Sequence, residues 1–103
     1  PARVAWRPAA DVAEARRLRV IVRSRTAVRL AAPQLGVEAD AAPAPVSSAP
    51  GRRIVSVVLP AGWFELLAEE ELVLAFVRPD APGVAEGITF EGATFLEELD
   101  DER

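Results

Sequence analysis

The sequence predicts a mainly β protein, an antiparallel sandwich or small barrel of about five strands with one short helix. Three observations predict it. Apolar and polar residues alternate by twos in several stretches, most cleanly from Arg17 to Leu30. Turn-forming clusters separate those stretches, among them Pro60–Ala61–Gly62 and Pro79–Asp80–Ala81–Pro82–Gly83. No regular exchange of strand-period and helix-period segments marks a parallel β-α-β chain. With 103 residues, half of them hydrophobic, the chain reads as a single domain with a modest core.

The elements follow in order. Residues 1–6 alternate, Arg3 opposing Val4 and Trp6, and form an N-terminal strand or arm. Arg7–Pro8 interrupts it, because proline removes a backbone donor and restricts its predecessor. Ala9 to Arg16 reads as one or two helical turns or as extended chain. From Arg17 to Leu30 the even positions are Leu18, Val20, Val22, Ser24, Thr26, Val28 and Leu30, while the odd ones carry Arg17, Arg19, Arg23, Arg25 and Arg29. A helix also gathers Leu18, Ile21, Val22 and Val28 on one side. The strand is preferred because Val, Ile and Thr favour extended backbone and no arginine falls on the apolar face. Fourteen residues at roughly 3.3 Å each run about 46 Å, longer than a domain of about 35 Å. We therefore expect one long, bent strand whose arginine face is paired to something acidic.

Pro33 to Gly51 reads as a loop, and the Ala/Pro stretch at 41–51 as a flexible segment. Arg52 to Leu59 is apolar on both faces and predicts a central strand. Trp63 to Glu70 predicts a short helix with Trp63, Leu66 and Leu67 inward. Glu71 to Arg78 is a further strand. Gly87 to Leu96 predicts a last strand or hairpin, and residues 97–103 an acidic tail.

Charge is divided along the chain. Residues 1–53 hold ten arginines and four acids, and residues 54–103 hold two arginines and twelve acids, within a formal net charge of −4. Two readings compete: a basic surface for an anionic partner, or the two halves compensating each other in the fold. The second is preferred, since the larger acidic half repels phosphates. Nucleic acid is therefore an unfavoured partner.

Catalysis is poorly supplied. Histidine and cysteine are both absent, so there is no imidazole base, no thiolate nucleophile and no ordinary transition-metal ligand set. No Gly-rich phosphate loop is present, and the acidic runs lack EF-hand spacing. The expectation is no enzyme, no catalytic residue, no cofactor and no metal. No apolar run reaches the length of a membrane span and no signal-peptide pattern opens the chain, which leads us to expect a cytoplasmic or intracellular protein, with particle association as the alternative, and with no membrane partner.

Two family resemblances bear on function. Pro1 followed by Ala2-Arg3-Val4-Ala5-Trp6 looks like the start of the 4-oxalocrotonate tautomerase superfamily, where an N-terminal proline acts as a base and arginines hold substrate carboxylates. That family continues into a long amphipathic helix, where this chain has its strongest strand pattern. A second resemblance covers most of the chain. Trp6-Arg7-Pro8-Ala9-Ala10-Asp11-Val12-Ala13-Glu14 resembles the W-x-P-x-x-D-x-x-E entry to the α-crystallin domain of small heat-shock proteins. Leu59-Pro60-Ala61-Gly62 resembles that family's LPxG, Leu72-Val73-Leu74 with Arg78-Pro79 its last core strand, and Ile88-Thr89-Phe90 its I-x-I/V tail motif. Ala32-Pro33-Gln34 stands where the family has Leu-Pro-Gly. This resemblance implies a β-sandwich that oligomerises and holds apolar clients, with Ile88 and Phe90 docking on a neighbouring subunit.

The reading as a whole is a non-enzymatic protein-interaction module acting in an oligomer or larger assembly. A small heat-shock-like holdase is its most concrete form. The alternatives are a structural component of a particle, such as a virion or shell, and an anion- or nucleic-acid-binding module. Interface candidates are Arg17, Arg19, Arg23, Arg25, Arg29, Ile88 and Phe90.

Overall fold

The computed structural model describes residues 3–43, 51–80 and 87–97. These form eight strands: β1 (Arg3–Trp6), β2 (Arg17–Arg23), β3 (Arg29–Ala32), β4 (Val37–Asp40), β5 (Ala42–Pro43), β6 (Arg52–Val58), β7 (Leu72–Val77) and β8 (Thr89–Leu96). One short helix, α1 (Trp63–Leu66), joins β6 to β7, and single 3-10 turns cover Ala10–Val12 and Pro33–Leu35. The strands pack as two four-stranded antiparallel sheets, ordered β1-β7-β3-β4 and β5-β6-β2-β8. The expected antiparallel sandwich is the architecture found.

The core lies between the sheets and follows the alternation. Leu18, Val20 and Val22 from β2 are at most 1% exposed, and Leu30, Leu72, Leu74, Phe76 and Val55 join them. Full burial of each such side chain contributes about 1.5–3 kcal/mol. β6 sits between β5 and β2, the interior position its two apolar faces predict.

The long basic strand does not run through. It ends at Arg23, and residues 24–28 carry the chain from one sheet to the other, where β3 begins. The cause is Ser24, a buried polar residue at 3% exposure. Its Oγ accepts the Thr26 backbone N–H at 3.1 Å and donates to the Thr26 carbonyl at 3.0 Å. A hydroxyl that takes these groups locally offers the backbone a turn in place of a ladder. The Ser24 N–H donates to the Gly51 carbonyl at 2.8 Å, and the Ser24 carbonyl accepts Arg53 Nε at 3.2 Å. Gly51 has φ +79°, and a Cβ there would meet Arg23 Cγ at an ordinary 3.7 Å. Backbone conformation rather than space therefore calls for glycine.

Two further differences concern the stretch expected to be a loop. Val37–Asp40 is a strand, β4, paired with β3. Val37 and Ala39 turn half-buried against the core, while Glu38 and Asp40 are exposed. In the 41–51 segment, Ala42–Pro43 pairs with β6, while residues 44–50 of that segment lie outside the described residues.

Side chains complete the ladders where strands stop. Gln34, just past β3, donates from Nε2 to the Glu71 carbonyl at 2.7 Å and accepts the Val73 N–H on Oε1 at 2.8 Å. One amide thus serves the start of β7 as a neighbouring strand would. Trp63, the first residue of α1, closes the end of the sandwich. Its indole N–H donates to the Ala15 carbonyl at 2.9 Å, and its ring stacks on Phe95 at 5.2 Å between centroids, with an interplanar angle of 10°.

Candidate functional site

The sandwich is closed on one side and open on the other. On the closed side the chain passes directly from edge strand β4 to edge strand β5 through Ala41, whose N–H donates to the Val28 carbonyl at 2.9 Å. On the open side the edge strands are β1 and β8. Between them lies an apolar groove of about 400 Å³ lined by Val4, Ala5, Trp6, Phe90, Ala93 and Phe95. Trp6 approaches Phe95 with centroids 6.1 Å apart, tilted by 58°. Phe90 leans on Phe76 at 6.2 Å.

A β-bulge builds this groove. Val22 is opposite Phe90, but Ile21 is opposite Gly92, so Glu91 is the extra residue on β8. In a regular strand Phe90 and Phe95 point to opposite faces, being an odd number of residues apart. The bulge absorbs one residue. Phe90, Ala93 and Phe95 therefore all sit across from the inward residues Val22, Val20 and Leu18.

The extra residue also places a carboxylate among arginines. Arg23 Nε donates to Glu91 Oε2 at 2.9 Å, and Arg52 Nε to Oε1 at 3.2 Å. The hydrogen bond from Arg23 is the largest influence on the Glu91 carboxyl and, with the Arg23 charge and the hydrogen bond and charge of Arg52, holds it below its ordinary value, against an opposing effect of burial second only to the Arg23 bond. A depressed folded-state pKa contributes stability that is present above the unfolded value of about 4.3 and is lost as pH falls through the folded one. Glu91→Gln should therefore lower the melting temperature most at neutral pH, with the gap to wild type closing toward acid. A gap that stays constant across a pH series of melts would show that this ion pair adds no stability.

The predicted arginine row is divided by the crossing at Ser24. Arg17, Arg19 and Arg23 lie on the outer face of the sheet containing β2, joined there by Arg52 of β6. Arg25 is exposed in the connection. Arg29 lies on the outer face of the other sheet, where its Nε donates to Asp40 Oδ1 at 2.8 Å. That bond and the Asp40 charge raise its already high pKa. The acidic complement expected for the row is thus present at Arg23 and Arg29. Ile88 is 2% exposed within the chain's own core, so it offers a neighbour no surface in this fold. Phe90 is half-buried and faces the groove.

The groove residues Val4, Trp6, Ala93 and Phe95 were not candidates in the sequence. Their one signal is the pair of aromatics flanking Gly92, out of step with a simple alternation.

A larger hollow of about 680 Å³ lies where the segment after β1 meets the turn after α1, lined by Arg7, Pro8, Phe64, Glu65 and Glu69 among others. Ala68 and Glu69 both have positive φ there, at 53° and 69°. Arg7 and Glu69 approach at 3.6 Å with both side chains mostly exposed, an ion pair of little energetic weight. The lining holds no nucleophile beside a base. Among the described residues no group of three or more carboxylates could hold a metal ion, and no helix is long and apolar enough to cross a membrane. Pro1 lies outside the described residues. No family model matches the chain, and no curated protein or solved structure does either.

Proposed function

We propose that this chain is a non-enzymatic interaction module that holds an extended apolar polypeptide segment along the open side of its sandwich, within an oligomer or assembly. The observation that carries this reading is the β1–β8 groove. It combines an apolar lining from two edge strands with the outer backbone edge of the eight-residue strand β8. An extended segment laid there adds hydrogen bonds along the edge and places alternate side chains against Trp6, Ala93 and Phe95. A holdase of the small heat-shock kind is the most concrete form, since a chaperone of that type needs such an apolar strip for unfolding clients.

The test is suppression of aggregation. A thermally unfolding client enzyme is heated with and without this chain, and with Ala93→Glu, which puts a charge in the groove at a half-buried position. Wild type should slow client light scattering and Ala93→Glu should not, while the variant keeps its own melting temperature within a few degrees. Equal protection by both proteins, or none by the wild type, would refute the groove as a client site.

A further inference from the structure

We propose that the outer face of the β1-β7-β3-β4 sheet is an interface with a second copy of this chain, stacked sheet to sheet about a two-fold axis. This gives the oligomer of the reading above its contact, but on a different surface from the groove, so loss of client protection and loss of the dimer are separate results.

An antiparallel sheet in a two-layer sandwich ordinarily turns polar residues to water. The two central strands of this sheet do not. Leu72, Leu74 and Phe76 of β7 and Leu30 and Ala32 of β3 are buried in the core. The outward positions are therefore Val73, Ala75 and Val77 on β7 and Arg29 and Ala31 on β3, all half-buried. Arg29, the one charged residue among them, is turned aside to Asp40 on the β4 edge. The middle of the face is thus short, apolar and uncharged.

The edges supply the charge, and the register puts it in one row. Arg3 pairs with Ala75, Ala75 with Ala31, and Ala31 with Glu38. Across the sheet the row carries a cation at one edge, a carboxylate at the other and two methyl groups between. Arg3 and Glu38 are both exposed. Among the described residues neither side chain has a hydrogen bond or ion pair, and Glu38 acts on Arg29 through its charge alone. With strands about 4.8 Å apart, Arg3 and Glu38 stand about 14 Å apart, equidistant from the line between β7 and β3. A two-fold axis along the strands, over that line and midway between two stacked copies, exchanges β7 with β3 and β1 with β4. It sets Arg3 of each copy opposite Glu38 of the other, and Ala75 opposite Ala31. The face is therefore complementary to itself, as a two-fold contact requires. The broad face of the molecule, 34 by 33 Å, has room for the roughly 800 Å² per partner that a standard interface buries. Exposed ion pairs contribute little each, so the apolar middle drives association and the two rim pairs fix its register. Because β1 of one copy lies over β4 of the other, the two open grooves face opposite flanks of the dimer.

Sedimentation equilibrium of the full chain over a dilution series tests this. The wild type should run as a dimer that dissociates on dilution. Arg3→Glu alone, or Glu38→Arg alone, sets like charges against each other at both rims and should raise the dimer dissociation constant at least about tenfold. The exchanged variant, Arg3→Glu with Glu38→Arg, remakes both pairs and should return to within about threefold of wild type. Ala75→Arg, in the middle of the face, should be monomeric, while Ala93→Glu in the groove should dimerise as wild type does. Melting curves taken in dilute solution, where the wild type is monomeric, separate a folding defect from a lost contact, and the exchanged variant decides even where Ala75→Arg does not fold. A wild type still monomeric at about 1 mM, the weakest association of interest, would overturn the proposal. So would single charge reversals that leave the mass unchanged, an exchanged variant that does not recover, or an Ala93→Glu that dissociates the dimer, since the contact would then lie elsewhere.

Discussion

Trp63→Ala is expected to lower stability by about 3–5 kcal/mol, the usual range for removing a buried large aromatic. Three losses combine at this site. A side chain 2% exposed leaves a cavity, the Ala15 carbonyl loses its donor, and the stack on Phe95 and the edge contact with Phe64 at 5.5 Å disappear. Domains of this size are stable by about 5–15 kcal/mol in total, so a large part of the native margin goes. At about 4–8 °C per kcal/mol the melting midpoint should fall by more than about 10 °C. Trp63→Phe separates the contributions, because it keeps a ring in the stack but leaves the Ala15 carbonyl without its donor. A loss of about 1–3 kcal/mol is expected for that change. If Trp63→Ala melts within a few degrees of wild type, Trp63 does not close the sandwich as described.

Ile88→Ala is expected to be nearly as damaging, at about 2–5 kcal/mol, and to leave the native mass unchanged. Ile88 precedes β8 and is buried in the same core as Phe76 and Val22. Phe90→Ala should cost less, since Phe90 is half-buried and rests against Phe76 from the groove side. Melting curves and native mass spectra of the two single variants distinguish core from interface. A folded, thermally normal Ile88→Ala that runs as a smaller species would place Ile88 between subunits and contradict its burial here.

The alternation in β2 was legible because Leu18, Val20 and Val22 obey the pleat without exception. The break at Ser24 was not, and for a physical reason. Both sheets turn their inner faces to one core, so Val28 and Leu30 remain inward after the crossing, still on even numbers. Parity continues while the strand does not. Serine and threonine also tolerate extended backbone, which left Ser24 and Thr26 looking like ordinary strand positions. β4 was hidden by its composition. Val37-Glu38-Ala39-Asp40 alternates correctly, but alanine, glutamate and aspartate are weak strand formers and a glycine precedes them. The groove was the least legible feature. Its walls come from residues near the two ends of the chain, and its floor depends on a bulge that local periodicity reads as a defect.

The crossing at Ser24 has an electrical consequence. Arg23 and Arg29 are near neighbours in the sequence but occupy opposite outer surfaces of a body 18 Å through its thinnest dimension. Screening in physiological salt acts over about 8 Å. Each surface is therefore nearly blind to the charge on the other, and a flat anion resting on one gains nothing from the second. What looks like a single basic wire along the chain is wired as two separate terminals, one meeting Glu91 and the other Asp40.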